Sequence, residues 1–492
     1  MAAPTRVTSG TLLKLLDCDR RLWLSEHGRT KSGVRTEHDD MLGGRSRSLE
    51  DRVAESLSDL AGPLLGPGIA FDAAARETLR LLRETRRPVR RPVLVSADGR
   101  KSATPAFLLR EGDAIVVRDV RLSHRPERQR VNRVRVSFAG WLVHQLTGFE
   151  VARLEIVNGL GEVVTVEPEP DEELAGLTER ALALLDSPVE PGTLLGHSHC
   201  QHCDHYDHCW DRAEGEHRVE VVPAVNRHRS VLLHEEGIRT YDQLAERSAE
   251  SFGNAELRGI APLMLAEARA WATAAPVWLQ PPALPRDRVP VWLDVEADAD
   301  GERADVPVYL WGLAVESGGD ADERPAFEPM LAELTPAGDR EAWQRFVARA
   351  LEVHHQHPRA VWVHWHQAEP MWIDRYSKRH GAPREFLDLM SASGALFDLH
   401  RELERTVRLP LRSTSVKFVA RWMGFEWSNP DADAAWSTAQ LHRARGTADA
   451  AARQRILEEV ARYNADDLWA MRTVWRWLAA AGTAASGGRK AP

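Results

Sequence analysis

The chain has 492 residues, 43% of them hydrophobic, which is too long for one ordinary core and apolar enough to fill two or three. Its 64 Lys and Arg against 73 Asp and Glu leave a net charge of -9, so it is not a basic coat for nucleic acid, and any such partner would be held by local patches. No run approaches the roughly 20 apolar residues that span a bilayer, and the opening MAAPTRVTSGTLLKLLDCDRR lacks a signal peptide's apolar centre and cleavage site. A soluble cytoplasmic protein with no membrane partner is therefore expected.

Along the chain, LLKLLDCDRRLWL opens in a helical pattern, and Arg-rich helical text continues to about Arg91. The period then changes. FLLREGDAIVVRDVRLS alternates around a turn at Glu111 to Asp113 and reads as a β-hairpin. VSFAGWLVHQLTG returns to helical spacing and stops at Gly148, and VARLEIVNGLGEVVTVEPEP reads as a second hairpin turning at Asn158 and Gly159. A mixed α/β domain over residues 1–215 is expected. It closes near HCQHCDHYDHC, which carries three of the four cysteines and in a large cytosolic chain reads as a metal site.

Residues 216–280 read as a helical connector. In SVLLHEEGIRTYDQLAER, Gly237 separates two short amphipathic helices, which fits either a helix-hairpin-helix or an ordinary helical turn. LQPPALPRDRVP is a linker. Over residues 286–485, VPVWLDVEAD, VPVYLWGLAVES and AVWVHW read as strands with helices between and after them, an α/β sheet. The tail over 482–492 is Gly-, Ala- and Ser-rich and is expected to be disordered.

Asp294 and Glu296 lie two apart on a strand, so both carboxylates leave the same face and can share divalent cations. In ILEEVARYNADDLWAMRTVWRWL, Tyr463 and Asp467 are one helical turn apart and also share a face, with Asp466 beside them. An acid-x-acid pair on a first strand and Y-x-x-x-D on a last helix, about 170 residues downstream, resemble the tyrosine-bearing branch of the DEDD exonucleases. The Y-N-x-D-D-x-x-A form is similar to the RNase H-like domain of YprB-type proteins. That resemblance implies a 3′–5′ exonuclease in which Asp294, Glu296, Asp467 and one further carboxylate hold two Mg²⁺ or Mn²⁺ ions, while Tyr463 orients the attacking water. In AVWVHWHQAEPMWIDRY the further acid falls at Glu369, one methylene longer than the family's aspartate, with His364 ending the strand before it. Asp398 is the alternative ligand, or a substrate-positioning or helix-capping group. Ser415 and Lys417 fall where the family contacts phosphates, and Lys417 reads equally as a surface lysine.

Residues 1–215 resemble a RecB-like PD-(D/E)xK nuclease domain, a restriction-endonuclease-like fold carrying an iron–sulfur cluster. The resemblance implies a [4Fe–4S] cluster on Cys18, Cys200, Cys203 and Cys209; the generic alternative is Zn²⁺, with His197, His199, His202, His205 or His208 as a fourth ligand. The acid-x-Lys pair would fall at Asp119 and Arg121, and the later Gln and Tyr positions at Arg135 and Ala139, so the domain reads as degenerate. Arginine cannot replace the point charge of a catalytic lysine. Arg118, Arg121, Arg125, Arg128, Arg130, Arg133 and Arg135 read either as a phosphate-gripping patch or as a solvated surface. The expected protein is thus a metal-dependent nuclease acting on DNA or RNA, open to a helicase or other repair or processing partner. Its rivals are a non-catalytic nucleic-acid adaptor and an N-terminal domain that still cuts through Asp119 and Arg121.

Overall fold

The computed structural model of the protein describes residues 6–28, 36–66, 69–201, 203–298, 306–316 and 323–487, with backbone alone for 482–487. The chain forms two compact units, Met1–Trp210 and Asp211–Pro492.

The first unit contains strands β1 (Val7–Thr8), β2 (Val89–Arg90), β3 (Leu94–Val95), β4 (Lys101–Ala103), β5 (Phe107–Glu111), β6 (Ala114–Val120), β7 (Val151–Val157) and β8 (Val163–Thr165). Five make a sheet in the order β2-β5-β6-β7-β8, and β1-β4-β3 make a small one. Both hairpins read from the sequence are present: β5 pairs antiparallel with β6 and β7 with β8. Gly112, in the first turn, takes φ 60°, which a side chain would strain. Strands β6 and β7 run parallel, so the chain must cross over between them, and the Arg130–Thr147 helix makes that crossing. It ends at Gly148 in a left-handed cap, and its Val134, Phe138 and Leu142 bury against Leu108, Val117 and Ile156 of the sheet.

The second unit opens with the helices Arg227–Glu235, Tyr241–Ala245 and Ala255–Thr273. Gly237 turns the first pair at φ 79°, and Thr240 starts the next helix with a capping box to Gln243. The strands that follow are β9 (Val277–Trp278), β10 (Pro290–Ala297), β11 (Val308–Val315), β12 (Phe327–Leu331), β13 (Val361–His364), β14 (Leu396–Asp398) and β15 (Val407–Arg408). The main sheet has the order β12-β11-β10-β13-β14, antiparallel through β12, β11 and β10 and parallel from β10 through β13 to β14.

Period-two alternation along β10 divides its side chains between two cores. Val291 and Leu293 join Trp311, Trp343, Phe346 and Phe386 on one face. Trp292 joins Leu468, Met471 and Trp475 of the last helix on the other. Asp294 and Glu296 continue the Trp292 series, so they emerge beneath that helix. The helix spans Ala450–Gly487; residues 488–492 of the expected disordered tail lie outside the described residues. Arg472, 5% exposed, anchors it through paired contacts at 2.6–3.1 Å to Glu316, next to the end of β11.

The close approach of helix to sheet depends on Gly312, which pairs with Asp294 across β10 and β11. A Cβ there would stand 1.7 Å from Asn464 Oδ1. Gly312→Ala should therefore force Asn464 and the helix outward and cost roughly 1–3 kcal/mol of stability, as overpacking does. Urea unfolding measures this directly, and a midpoint equal to the parent's would show that the helix is not seated so tightly.

Candidate carboxylate site

Asp294, Glu296 and Asp467 place ligand oxygens within 4.8 Å of one another, with Asp294 half-buried and the other two buried. Strand alternation supplies the first pair and the last helix the third. The carboxyl of Glu369, 2% exposed near the start of the Ala368–His380 helix, is close enough to raise the pKa of Asp294. Four acids anticipated in the sequence thus converge.

Neutral groups hold them in place. Asn464 Nδ2 donates to Asp294 Oδ2 at 2.5 Å and lies 3.4 Å from Glu296 Oε1, bridging both. Ser437 hydrogen-bonds Glu296 and also Tyr309, whose hydroxyl is 2.6 Å from Ser437 Oγ. Trp427 Nε1 donates to Asp467 Oδ1 at 2.8 Å, and the Tyr463 hydroxyl hydrogen-bonds the same carboxylate. Asn464, Gly312, Ser437 and Trp427 were not singled out in the sequence. Asn464 was the most legible of them, since it sits one residue after Tyr463 and one helical turn before Asp467.

Burial of like charges dominates the electrostatics. Desolvation, then Asp467, Glu369 and Glu296, hold the Asp294 carboxyl well above the carboxylate range. Burial first and Asp467 second push Glu296 up to about 8. Asp467 rises to about 6 through burial, opposed by Trp427 and Lys417. Tyr463 is driven upward by burial and then by Asp467, so its hydroxyl keeps its proton. Lys417 is a half-buried neighbour of this cluster, its ammonium 4.8 Å above the Tyr463 ring and donating to the Ala432 carbonyl. Burial lowers its pKa while Asp467 works against that.

Other anticipated residues lie outside the cluster. Asp466 accepts from Ser428 N and Oγ at 2.8 and 2.6 Å. Asp398 caps the Leu399–Thr406 helix through Arg401 N at 3.0 Å, the capping role foreseen for it. Ser415 is an exposed residue preceding the Val416–Trp422 helix. His364 Nδ1 lies 3.6 Å from Glu369 Oε2, too far for a hydrogen bond, and both atoms are buried without a partner.

In the first unit the expected cysteine cluster is corrected. All four thiols are free, and among the described residues no three of them approach within the 4.8 Å that the carboxylates achieve. Burial pushes the Cys209 thiol up to about 11 despite a hydrogen bond with Arg20, and raises Cys203 as well. His205 is bonded to Ser25 at 3.0 Å, His197 stacks near Trp210, and His202 lies outside the described residues. The tie between the first helices and this stretch, expected from a cluster, is made by Arg21 to Asp204 at 3.1 Å and Arg20 to Glu190 at 3.1 Å.

The arginine-rich region is largely neutralised by its own carboxylates. Arg118 meets Glu155 at 2.7 Å, Arg121 meets Asp119 at 2.6 Å, Arg133 meets Glu169 at 3.0 Å, and Arg130 reaches Glu169 and Glu173. Arg125 and Arg128 are exposed, the latter 3.8 Å from Glu127. Asp119 and Arg121 form an ion pair, which occupies the acid that a second cutting site would need.

No helix of the described residues is long and apolar enough to cross a membrane. Comparison with curated proteins gives no match. Residues 291–479, running from β10 into the last helix and so containing all four converging acids, match the model of the RNase H superfamily, and the C-terminal part of the chain is an RNase H-like domain.

Proposed function

We propose that the protein is a metal-dependent nuclease that removes nucleotides from the 3′ end of DNA or RNA in its C-terminal domain, while its N-terminal unit holds the nucleic acid. The observation that carries this reading is the convergence of Asp294, Glu296 and Asp467 within 4.8 Å, joined by Glu369. The donor set fits divalent cations: hard carboxylate oxygens, raised pKa values that a cation would bring down, and a buried acceptor without a donor at Glu369 Oε2. Bound there, two such ions would stabilise the attacking and departing oxygens of a phosphodiester.

The chain's own groups do the rest. Asn464 fixes the spacing of Asp294 and Glu296, and Trp427 fixes the orientation of Asp467. Tyr463, protonated at working pH, keeps a hydroxyl at the edge of the cluster where it can hold a water in line. Lys417 supplies positive charge facing the substrate phosphate. The adaptor reading requires four acids to be buried together with no chemical use, at a cost in stability, and is the weaker for it.

Three outcomes test the proposal. Asp294→Ala should abolish Mg²⁺- or Mn²⁺-dependent shortening of end-labelled single-stranded DNA and RNA, and a variant as fast as the parent would remove the C-terminal domain from the reaction. Asn464→Ala, losing the bridge between two ligands, should lower metal affinity or activity roughly 10–100-fold, the usual cost of losing a group that orients a ligand. Binding without cleavage by the parent protein would favour the adaptor.

A stability measurement tests the cation site separately. Glu296 and Asp467 titrate higher in the fold than in the unfolded chain, at about 8 and about 6. Their protonation stabilises the metal-free fold below the ordinary carboxyl range, and that contribution is lost as the pH climbs through those values. The melting temperature in chelator should therefore fall between about pH 5 and pH 8, and added Mg²⁺ or Mn²⁺ should restore more of it at the higher pH. A flat, metal-insensitive profile would contradict the cation site.

A further inference from the structure

The first unit contains a cavity of about 470 Å³. Thr8, Ser9 and Gly10 line it from the start of the Ser9–Asp17 helix, Ser102 and Thr104 from the end of β4, and Arg135 from the Arg130–Thr147 helix. Asp119 also faces it, but its charge is met by Arg121 at 2.6 Å and by the Val120 N–H at 3.0 Å. Among the described residues Arg135 makes no direct ion pair, and the Asp119 carboxylate that acts on it through space is already bonded to Arg121. Its Nε is buried without an acceptor. Burial, then the neighbouring Arg121, pulls its pKa down to about 10. Arg6, on another wall, donates to the Gly99 carbonyl at 2.9 Å and lies 3.6 Å from Asp72, a carboxylate whose side chain is 72% exposed.

A desolvated guanidinium beside a second guanidinium costs free energy unless an anion compensates it. Its donors form a planar fork that matches the edge of a phosphate. The hydroxyls of Ser9, Ser102 and Thr104 add neutral donors around the same space. A divalent cation does not fit, because the only acid facing the cavity is already neutralised and Arg135 would repel the ion. The volume lies in the range of small-ligand sites and exceeds what one phosphate fills, leaving room for an adjoining sugar.

We propose that this cavity binds a phosphate group of a nucleic-acid strand on Arg135 without a metal ion. The proposal rests on the reading that the first unit holds nucleic acid, and it names the group that does so. The test uses the full chain in EDTA, so that it is independent of whether the C-terminal domain cuts. Inorganic phosphate should raise the melting temperature of the parent. Arg135→Met should melt higher than the parent in phosphate-free buffer, because an uncompensated charge is gone, and should lose the response to phosphate. Arg135→Lys should keep part of it. Fluorescent single-stranded DNA should bind Arg135→Met about tenfold or more weaker, with a salt dependence shallower by about one phosphate contact. Equal phosphate responses in parent and Arg135→Met would overturn the site. A lost phosphate response with unchanged DNA affinity would overturn its assignment to a strand. Failure of the exonuclease reading would show separately, as absence of shortening when Mg²⁺ is restored.

Discussion

Packing the last helix against β10 through the notch at Gly312 is the constraint from which the candidate site follows. It brings Asp467 over Asp294 and Glu296, burying Glu296 and Asp467 and half-burying Asp294. Like charges at that separation repel strongly once solvent screening is lost. The aromatic packing of Trp292 and Trp475, edge to face at 5.8 Å, and the Arg472 anchor supply attraction that keeps the helix down. The acids are thus held together by apolar and ionic contacts elsewhere on the same two elements, and their mutual repulsion stays available to favour a cation.

The neutral donors around the acids decide their geometry. A cation in place of Asn464 or Trp427 would have satisfied the charges and removed the need for metal. Amide and indole N–H groups orient the carboxyls without adding a positive charge that would compete with a metal ion. Lys417 is the exception, with its ammonium placed over the Tyr463 ring and within reach of the charges of Asp467 and Glu296.

What the sequence revealed follows the range of each interaction. Alternation along PVWLDVEA and the helical repeat of ILEEVARYNADDLWAM are local, so Asp294, Glu296, Tyr463 and Asp467 could be placed on faces and those faces matched. Glu369 was found only through the spacing of a resembling family. Gly312, Ser437 and Trp427 were invisible because their roles depend on pairing across strands and on loops far away in the chain. The cysteine reading shows the opposite error. A suggestive spacing, Cys200, Cys203 and Cys209, spans two short helices and the turn between them, secured by an arginine ion pair to Asp204, and spacing alone carries no information on where the thiols point. The arginine-rich stretch misled for a related reason: the acids that neutralise it, Glu155 and Glu169, come from β7 and the segment after β8, and one-dimensional charge counting does not pair them.

Those pairings also give meaning to the arginine left over. In a region where Arg118, Arg121, Arg130 and Arg133 each find a carboxylate, a surface shaped only by composition would have paired Arg135 as well, or left it in water. It is instead turned into a cavity edged with hydroxyls. The two candidate sites carry opposite chemistries. Carboxylates could reach a phosphate only through cations that must be recruited and can be withdrawn, which would suit a step in which charge develops and moves. A fixed guanidinium cannot lose its charge in the working pH range and activates nothing, which suits holding a strand without cutting it.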